Sequence, residues 1–146
     1  MDSVATIGFG KKGAERFVGL LRNAGVAVVV DIRRRPDSPL AGYARRRDLP
    51  FILRCVDVGY EHEARLAPPD DLLERYRSDH DWTSYVSEFE ERVLATHDAA
   101  EAMEAIHRRS ELVALLCSEP TPEKCHRRLV AERMHELWRA EILHLV

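Results

Sequence analysis

Val26-Ala27-Val28-Val29-Val30-Asp31-Ile32 is the segment on which the fold turns, because every residue but Ala27 and Asp31 is β-branched. A continuous apolar run of this kind suits a central strand covered on both faces, not a strand with one wet side. Upstream, Ser3 to Ile7 has the same character and ends in Gly8-Phe9-Gly10. Between the two, from about Lys12 to Ala24, the apolar residues Ala14, Phe17, Val18 and Leu21 recur at helical spacing. Gly25 is placed to end that helix. Strand, helix and strand at this spacing form a βαβ unit, with a right-handed crossover expected.

Downstream, Arg33 to Arg47 is irregular and basic, broken by Pro36, Pro39 and Gly42. Leu49 to Val56 reads as a short helix and Gly59 to His62 as a brief strand. Asp70 to Tyr76, Trp82 to Ala95 and Ala99 to Arg108 are helical by pattern, with Asp81 or Thr83 starting the middle one. Glu111 to Cys117 is a fourth strand. Pro122 to Arg139 is the last helix, with Thr121 as its N-cap and Pro122 at its first position. Glu141 to Val146 closes the chain as a fifth strand. Repeats, low-complexity tracts and linkers are absent. The expectation is an α/β fold: a single three-layer domain, residues 1–146, with a mostly parallel sheet of about five strands and helices on both faces.

At 146 residues the chain can bury a sizeable core without disulfide or metal staples. Its net charge of −3 gives no general attraction to nucleic acid or anionic membrane. The longest apolar run, Val26 to Val30, is far too short to cross a bilayer. A strand-like segment begins at once, without a basic-then-apolar leader. Three cysteines, an odd number, argue for reduced thiols over a disulfide framework. A cytoplasmic protein without membrane association is expected.

Most of the chemistry lies in Leu115-Leu116-Cys117-Ser118-Glu119-Pro120-Thr121-Pro122-Glu123-Lys124-Cys125-His126-Arg127. One cysteine stands at the carboxyl end of a strand; a second Cys, a His and an Arg follow on the next helix. In open α/β sheets ligands bind outside the strands' carboxyl ends. A thiol near a helix N-terminus is biased toward thiolate. His126 shares a helical stripe with Val130, Met134 and Trp138, so it should point into the protein. Arg127 could offer a forked donor to a phosphate or carboxylate. Three readings stand side by side: a nucleophilic Cys with a His base; a metal site of Cys117, Cys125 and His126, with or without His62; and a buried apolar Cys117 with a hydrogen-bonded structural His126. Cys-x7-Cys-His matches no common zinc-knuckle spacing, and no metal is assigned.

Other groupings are less specific. Asp31-Ile32-Arg33 puts an acid at the tip of a central strand, a frequent active-site placement and equally a structural ion pair. From Asp31 to Arg47 six arginines face two acids, an excess of +4 that could bind phosphates or simply be solvated. Gly8-Phe9-Gly10-Lys11-Lys12-Gly13 joins strand to helix but is neither Gly-x-Gly-x-x-Gly nor Walker A. Tyr60-Glu61-His62-Glu63 ends the third strand, where His62 could face the same crevice as Cys117.

Taken together these segments resemble the bacterial and archaeal family of domain of unknown function 488. Thr6-Ile7-Gly8, Asp31-Ile32-Arg33 with Pro36 and Ser38, Tyr60 with His62 and Leu66, and Leu116-Cys117-x-Glu119 running to Cys125-His126-Arg127 carry the likeness. The family's usual His-Ser after the first strand is here Phe9-Gly10. Its Ser-Arg is Ser38-Pro39, and its glycines after Leu66 are Ala67 and Pro68. The resemblance implies a compact α/β domain with these residues at one edge of a parallel sheet, and no activity.

The functional expectation is a small enzyme acting on a phosphorylated or nucleobase-like small molecule, or on a nucleic-acid end. Asp31, Cys117, Cys125 and His126 are its candidate catalytic residues; Arg33, His62, Glu119 and Arg127 are its candidate substrate-binding residues. In that scheme Asp31 and Arg33 orient substrate, a thiol reacts, His126 moves protons, and Glu119 and Arg127 position the loop and an anion. The competing class is a non-catalytic binding module, a nucleic-acid or protein accessory, using the Arg-rich loop 33–47.

Overall fold

Five parallel strands form the sheet in the order β3-β2-β4-β1-β5 in the computed structural model, which describes residues 1–146. They are β1 (Ser3–Gly8), β2 (Val28–Asp31), β3 (Gly59–His62), β4 (Val113–Cys117) and β5 (Glu141–Leu145). The sheet is wholly parallel, a stricter result than the mostly parallel one expected. Alternation along the strands sorts the core into two halves. Ala5, Ile7, Val29, Ala114 and Leu116 pack on Phe17 and Leu21 of α1 (Ala14–Ala24) and on Leu49 and Leu53 of α2 (Leu49–Arg54). Val4, Val30, Val113 and Leu115 face the opposite way, toward α3 (Asp70–Asp79), α4 (Trp82–Phe89), α5 (His97–His107) and α6 (His126–Trp138). Helices therefore cover both faces, which is why β4 is apolar throughout and β2 is apolar up to Asp31 at its tip. Each fully buried Leu, Ile or Phe in these layers contributes roughly 1.5–3 kcal/mol relative to exposure.

Local signals set most helix ends. Gly25 adopts a left-handed conformation at φ 76° and its N–H closes onto Leu21 and Arg22 carbonyls. Asp81 caps α4, its Oδ1 accepting from the Ser84 amide at 3.1 Å, and a π turn over Glu90–Leu94 prolongs that helix. Thr96 caps α5 through the Ala99 amide at 3.2 Å.

The last helix departs from expectation. It begins at His126, not Pro122, and Thr121 caps nothing. Pro120 and Pro122 each push the preceding residue out of the helical region, so the chain stays irregular until Cys125. Cys125 is the N-cap, with extended backbone at φ −140° and ψ 139°. Tertiary donors hold this segment instead. Gly10 N–H reaches the Ser118 carbonyl at 2.9 Å, Lys12 Nζ the Pro120 carbonyl at 2.9 Å, and Arg127 Nη1 the Glu119 carbonyl at 2.8 Å.

Gly8 is where the loop meets the sheet. A Cβ there would overlap the Glu119 carbonyl oxygen and lie 2.8 Å from Arg127 Nη1. Gly8→Ala is expected to cost roughly 1–3 kcal/mol through overpacking, read as a fall in Tm of about 2–4 °C per kcal/mol. Gly19→Ala, whose Cβ would meet nothing within 4 Å, should leave Tm unchanged or raised in the same thermal melt.

Candidate functional site

The strand order creates a crevice before any side chain is considered. From β1 the chain crosses to β2 on one side of β4, and from β4 it crosses to β5 on the far side of β1. Adjacent strands whose connections leave in opposite directions open a gap at their carboxyl ends. Here those ends are Gly8 and Cys117, which are paired in register. A cavity of about 860 Å³ lies over this edge, and Cys117, Cys125 and His126 line it while remaining almost entirely buried.

His126 joins the thiols to the neighbouring strand. Its Nε2 lies 2.8 Å from the Ile32 carbonyl oxygen and its Nδ1 lies 3.5 Å from Cys117 Sγ. A carbonyl only accepts, so Nε2 carries a hydrogen and Nδ1 is the nitrogen that faces sulfur. A hydrogen bond from Cys125 holds the Cys117 thiol well below its usual range against burial, helped by the charges of His126 and Arg127. Burial, then that same hydrogen bond and the charge on Cys117, push Cys125 up. Burial opposes the His126 cation, yet the charge and hydrogen bond of Cys117 and the Ile32 carbonyl outweigh it and raise the imidazole. These shifts all run toward a thiolate at Cys117, a cation at His126 and a thiol at Cys125.

Asp31 lies near this group in sequence register but is not part of it. It is fully buried, and Arg33 binds it in a fork, Nε to Oδ1 at 2.8 Å and Nη2 to Oδ2 at 2.7 Å. Tyr60 donates to Oδ2 at 2.6 Å, and the Arg33 amide reaches Oδ1 at 3.2 Å. Asp31 does not line the cavity, so the catalytic placement expected for it is not what the structure shows; its carboxylate orients Arg33. Arg33 does line the cavity, with Nη2 on the Ala44 carbonyl at 2.6 Å and its guanidinium 5.0 Å over the Phe9 ring. Phe9 thus occupies the wall where the family resemblance puts a His.

His62 is also displaced from the expected crevice. Its Nε2 donates to the Arg33 carbonyl at 2.7 Å and its Nδ1 accepts from Arg46 at 3.3 Å, bracing the basic loop outside the cavity. Glu119 lines the cavity, exposed, while its carbonyl anchors Arg127. Arg127 is fully buried behind the loop with no carboxylate partner, and its Nε and Nη2 have no acceptor. Its position next to Gly8 leaves a positive charge behind the thiols instead of in the cavity.

The aromatic wall of the cavity escaped sequence reasoning, and of the cationic lining the sequence marked Arg33, Arg34 and Arg35 but gave no role to Arg77 or Lys124. Tyr76, Trp82 and Tyr85 form an aromatic wall, with Trp82 and Tyr85 stacked 5.0 Å apart. Helical spacing marks such residues as core, and only the packing of α3 on α4 turns them to the opening. Burial, then the charges of Cys117 and Cys125, raise the Tyr85 hydroxyl, which stays protonated. Arg33, Arg34, Arg35, Arg77 and Lys124 also line the cavity, against only Asp70 and Glu119 as acids. Arg35 is paired with Asp70, whereas Arg34 binds backbone carbonyls of Pro68 and Ala67. Arg77 and Lys124 form no ion pair among the bridges of 4.0 Å or less.

Two sulfurs and a ring nitrogen within 4.8 Å of one another could hold a soft cation. The surroundings oppose it: five cations line the cavity and a buried guanidinium sits behind. The same field favours a thiolate and an anionic ligand.

A family model described as a domain of unknown function, DUF488, matches residues 13–134 of the chain. No curated protein and no solved structure matches it.

Asp31→Ala should cost about 3–5 kcal/mol in urea unfolding, because it strands the buried Arg33 charge. The double change Asp31→Ala with Arg33→Met should recover part of that loss. Elemental analysis of purified protein should find zinc and iron well below one per chain.

Proposed function

Since the chain belongs to the DUF488 family, whose description names no reaction, we propose from its own side chains that it is a thiol-dependent enzyme acting on an anionic small molecule, phosphorylated or nucleobase-like, or on a nucleic-acid end. The observation that carries this is the 3.5 Å approach of Cys117 Sγ to an imidazole whose other nitrogen is committed to the Ile32 carbonyl. That arrangement supplies a ready nucleophile and a proton on Nδ1 next to it.

The roles follow from placement. Cys117 attacks the electrophilic centre of the substrate. His126 gives its Nδ1 proton to the leaving group, and Cys125 donates a hydrogen bond to the resting thiolate. Arg34, Arg77 and Lys124, free of carboxylate partners, receive the anion, and Arg33 is fixed in place by Asp31. Tyr76, Trp82 and Tyr85 offer flat apolar surface to a ring. Three free cysteines support a reducing compartment, the cytoplasm. No helix is long and apolar enough to cross a membrane.

The binding-module reading through loop 33–47 has less support. Arg33, Arg35, Arg45 and Arg47 are each within 4.0 Å of a carboxylate, and Arg46 faces His62. A phosphate backbone would have to displace those partners.

Alkylation by iodoacetamide in a Cys55→Ser background tests the nucleophile, because Cys55 is the exposed thiol. Lowering of the Cys117 pKa predicts a rate–pH midpoint well below that of an ordinary thiol, whose rate still gains about tenfold per pH unit at neutral pH. His126→Ala removes the facing cation, so the midpoint should move upward and the neutral-pH rate should fall, alongside a lower Tm from the cavity and the unpaired Ile32 carbonyl it leaves. A wild-type midpoint in the ordinary thiol range would overturn the assignment, as would a large loss of folding with Cys117→Ser.

A further inference from the structure

We propose that Cys117 and Cys125 form a two-electron dithiol–disulfide couple that reduces a low-molecular-weight disulfide carrying carboxylate groups, with Cys125 as the resolving thiol. This rests on the nucleophilic reading of Cys117 and gives a role to the second thiol, which that reading uses only as a hydrogen-bond donor.

The geometry supplies an attacking sulfur fixed in a strand and a resolving sulfur at a helix N-cap, past residues 118–120, which tertiary donors hold. Cys117 is the last residue of β4, held in the ladder opposite Gly8. Cys125 precedes the first turn of α6 and ends an irregular loop whose Ser118, Glu119, Thr121, Glu123 and Lys124 are exposed. Their sulfurs lie within 4.8 Å, and closing to a bond of about 2.05 Å needs movement of the loop side only. Cys55 ends α2, which packs on the opposite face of the sheet, and takes no part.

Burial decides the size of the substrate. At 5% and 3% exposure the two thiols are reached through the cavity and not by a protein surface. A cavity of about 860 Å³ accepts a small molecule, and its cationic wall selects one with carboxylates.

The steps balance as follows. The Cys117 thiolate attacks one sulfur of the substrate, breaking its S–S bond and forming a mixed disulfide. The departing thiolate takes the Nδ1 proton of His126. The neutral imidazole then takes the proton of Cys125, whose thiolate attacks the Cys117 sulfur. The second substrate thiolate leaves with that proton from His126. One disulfide becomes two thiols, and the protein dithiol is oxidised by two electrons.

Glutathione disulfide is the probe, used on full-length protein in the Cys55→Ser background with mass spectrometry of the intact chain and its peptides. The chain with both thiols should lose two hydrogens as a Cys117–Cys125 disulfide and retain no glutathione. Cys125→Ser should trap one glutathione on Cys117. Cys117→Ser should react roughly tenfold or more slowly at Cys125. Glutathione retained when both thiols are present would overturn the resolving role. No adduct in Cys125→Ser, with iodoacetamide still labelling Cys117 at neutral pH, would remove the disulfide substrate and leave the nucleophile standing. Failure of both reagents in variants with unchanged Tm would end both proposals.

Discussion

One hydrogen bond between residues far apart in sequence organises the site: His126 Nε2–H to the Ile32 carbonyl. It spans from the first residue of α6 to the chain just beyond β2, and it fixes which ring nitrogen is left for Cys117. Were the imidazole free to flip, Nδ1 would not be held toward sulfur. The bond exists because β2 and β4 are neighbours, with Ile32 N–H continuing the ladder onto the Leu116 carbonyl. Phe89 packs against the ring at 5.7 Å between centroids and closes off its other side. Fold and site geometry are thus set by the same strand pairing.

Charge is arranged around that ring in layers. Arg127 lies behind the loop, fully buried and without a carboxylate, and Cys117 is the nearby group able to answer it by ionising. In front, Arg33 is fixed by the buried Asp31 and by the Ala44 carbonyl, so its guanidinium is already ordered at the cavity wall. Burying an ion pair is a weak source of stability; a pre-set guanidinium at a cavity wall is a more economical explanation for this one. Phe9 completes the wall by covering one face of Arg33. With Phe at that position, His126 is the histidine that faces the thiols.

Several site features were visible in residue order and several were not. The Cys117 to Arg127 stretch announced itself through residue type, and the stripe of His126, Val130 and Met134 correctly sent the imidazole inward. Asp31 and Arg33 were marked by their place at a strand tip, but whether a carboxylate there faces ligand or neighbour depends on which groups arrive from elsewhere. Arg33 took both Asp31 oxygens and Tyr60 took Oδ2 as well, while the Ala44 carbonyl held the guanidinium. His62 was displaced for the same reason, its two nitrogens claimed by Arg33 and Arg46. Thr121-Pro122 looked like a helix start because capping chemistry is local, and it lost to tertiary donors reaching the loop carbonyls.

The amino-acid sequence by itself determined the strands, most helix ends and the two-sided cover of the sheet. Those follow from periodicity, β-branching and caps, which act over a few neighbouring residues. Only the tertiary structure decided that β4 lies between β2 and β1, that the aromatic residues of α3 and α4 face an opening, and that Cys125 meets Cys117. Those facts depend on the order in which strands join and on contacts tens of residues apart, and no local pattern encodes that order.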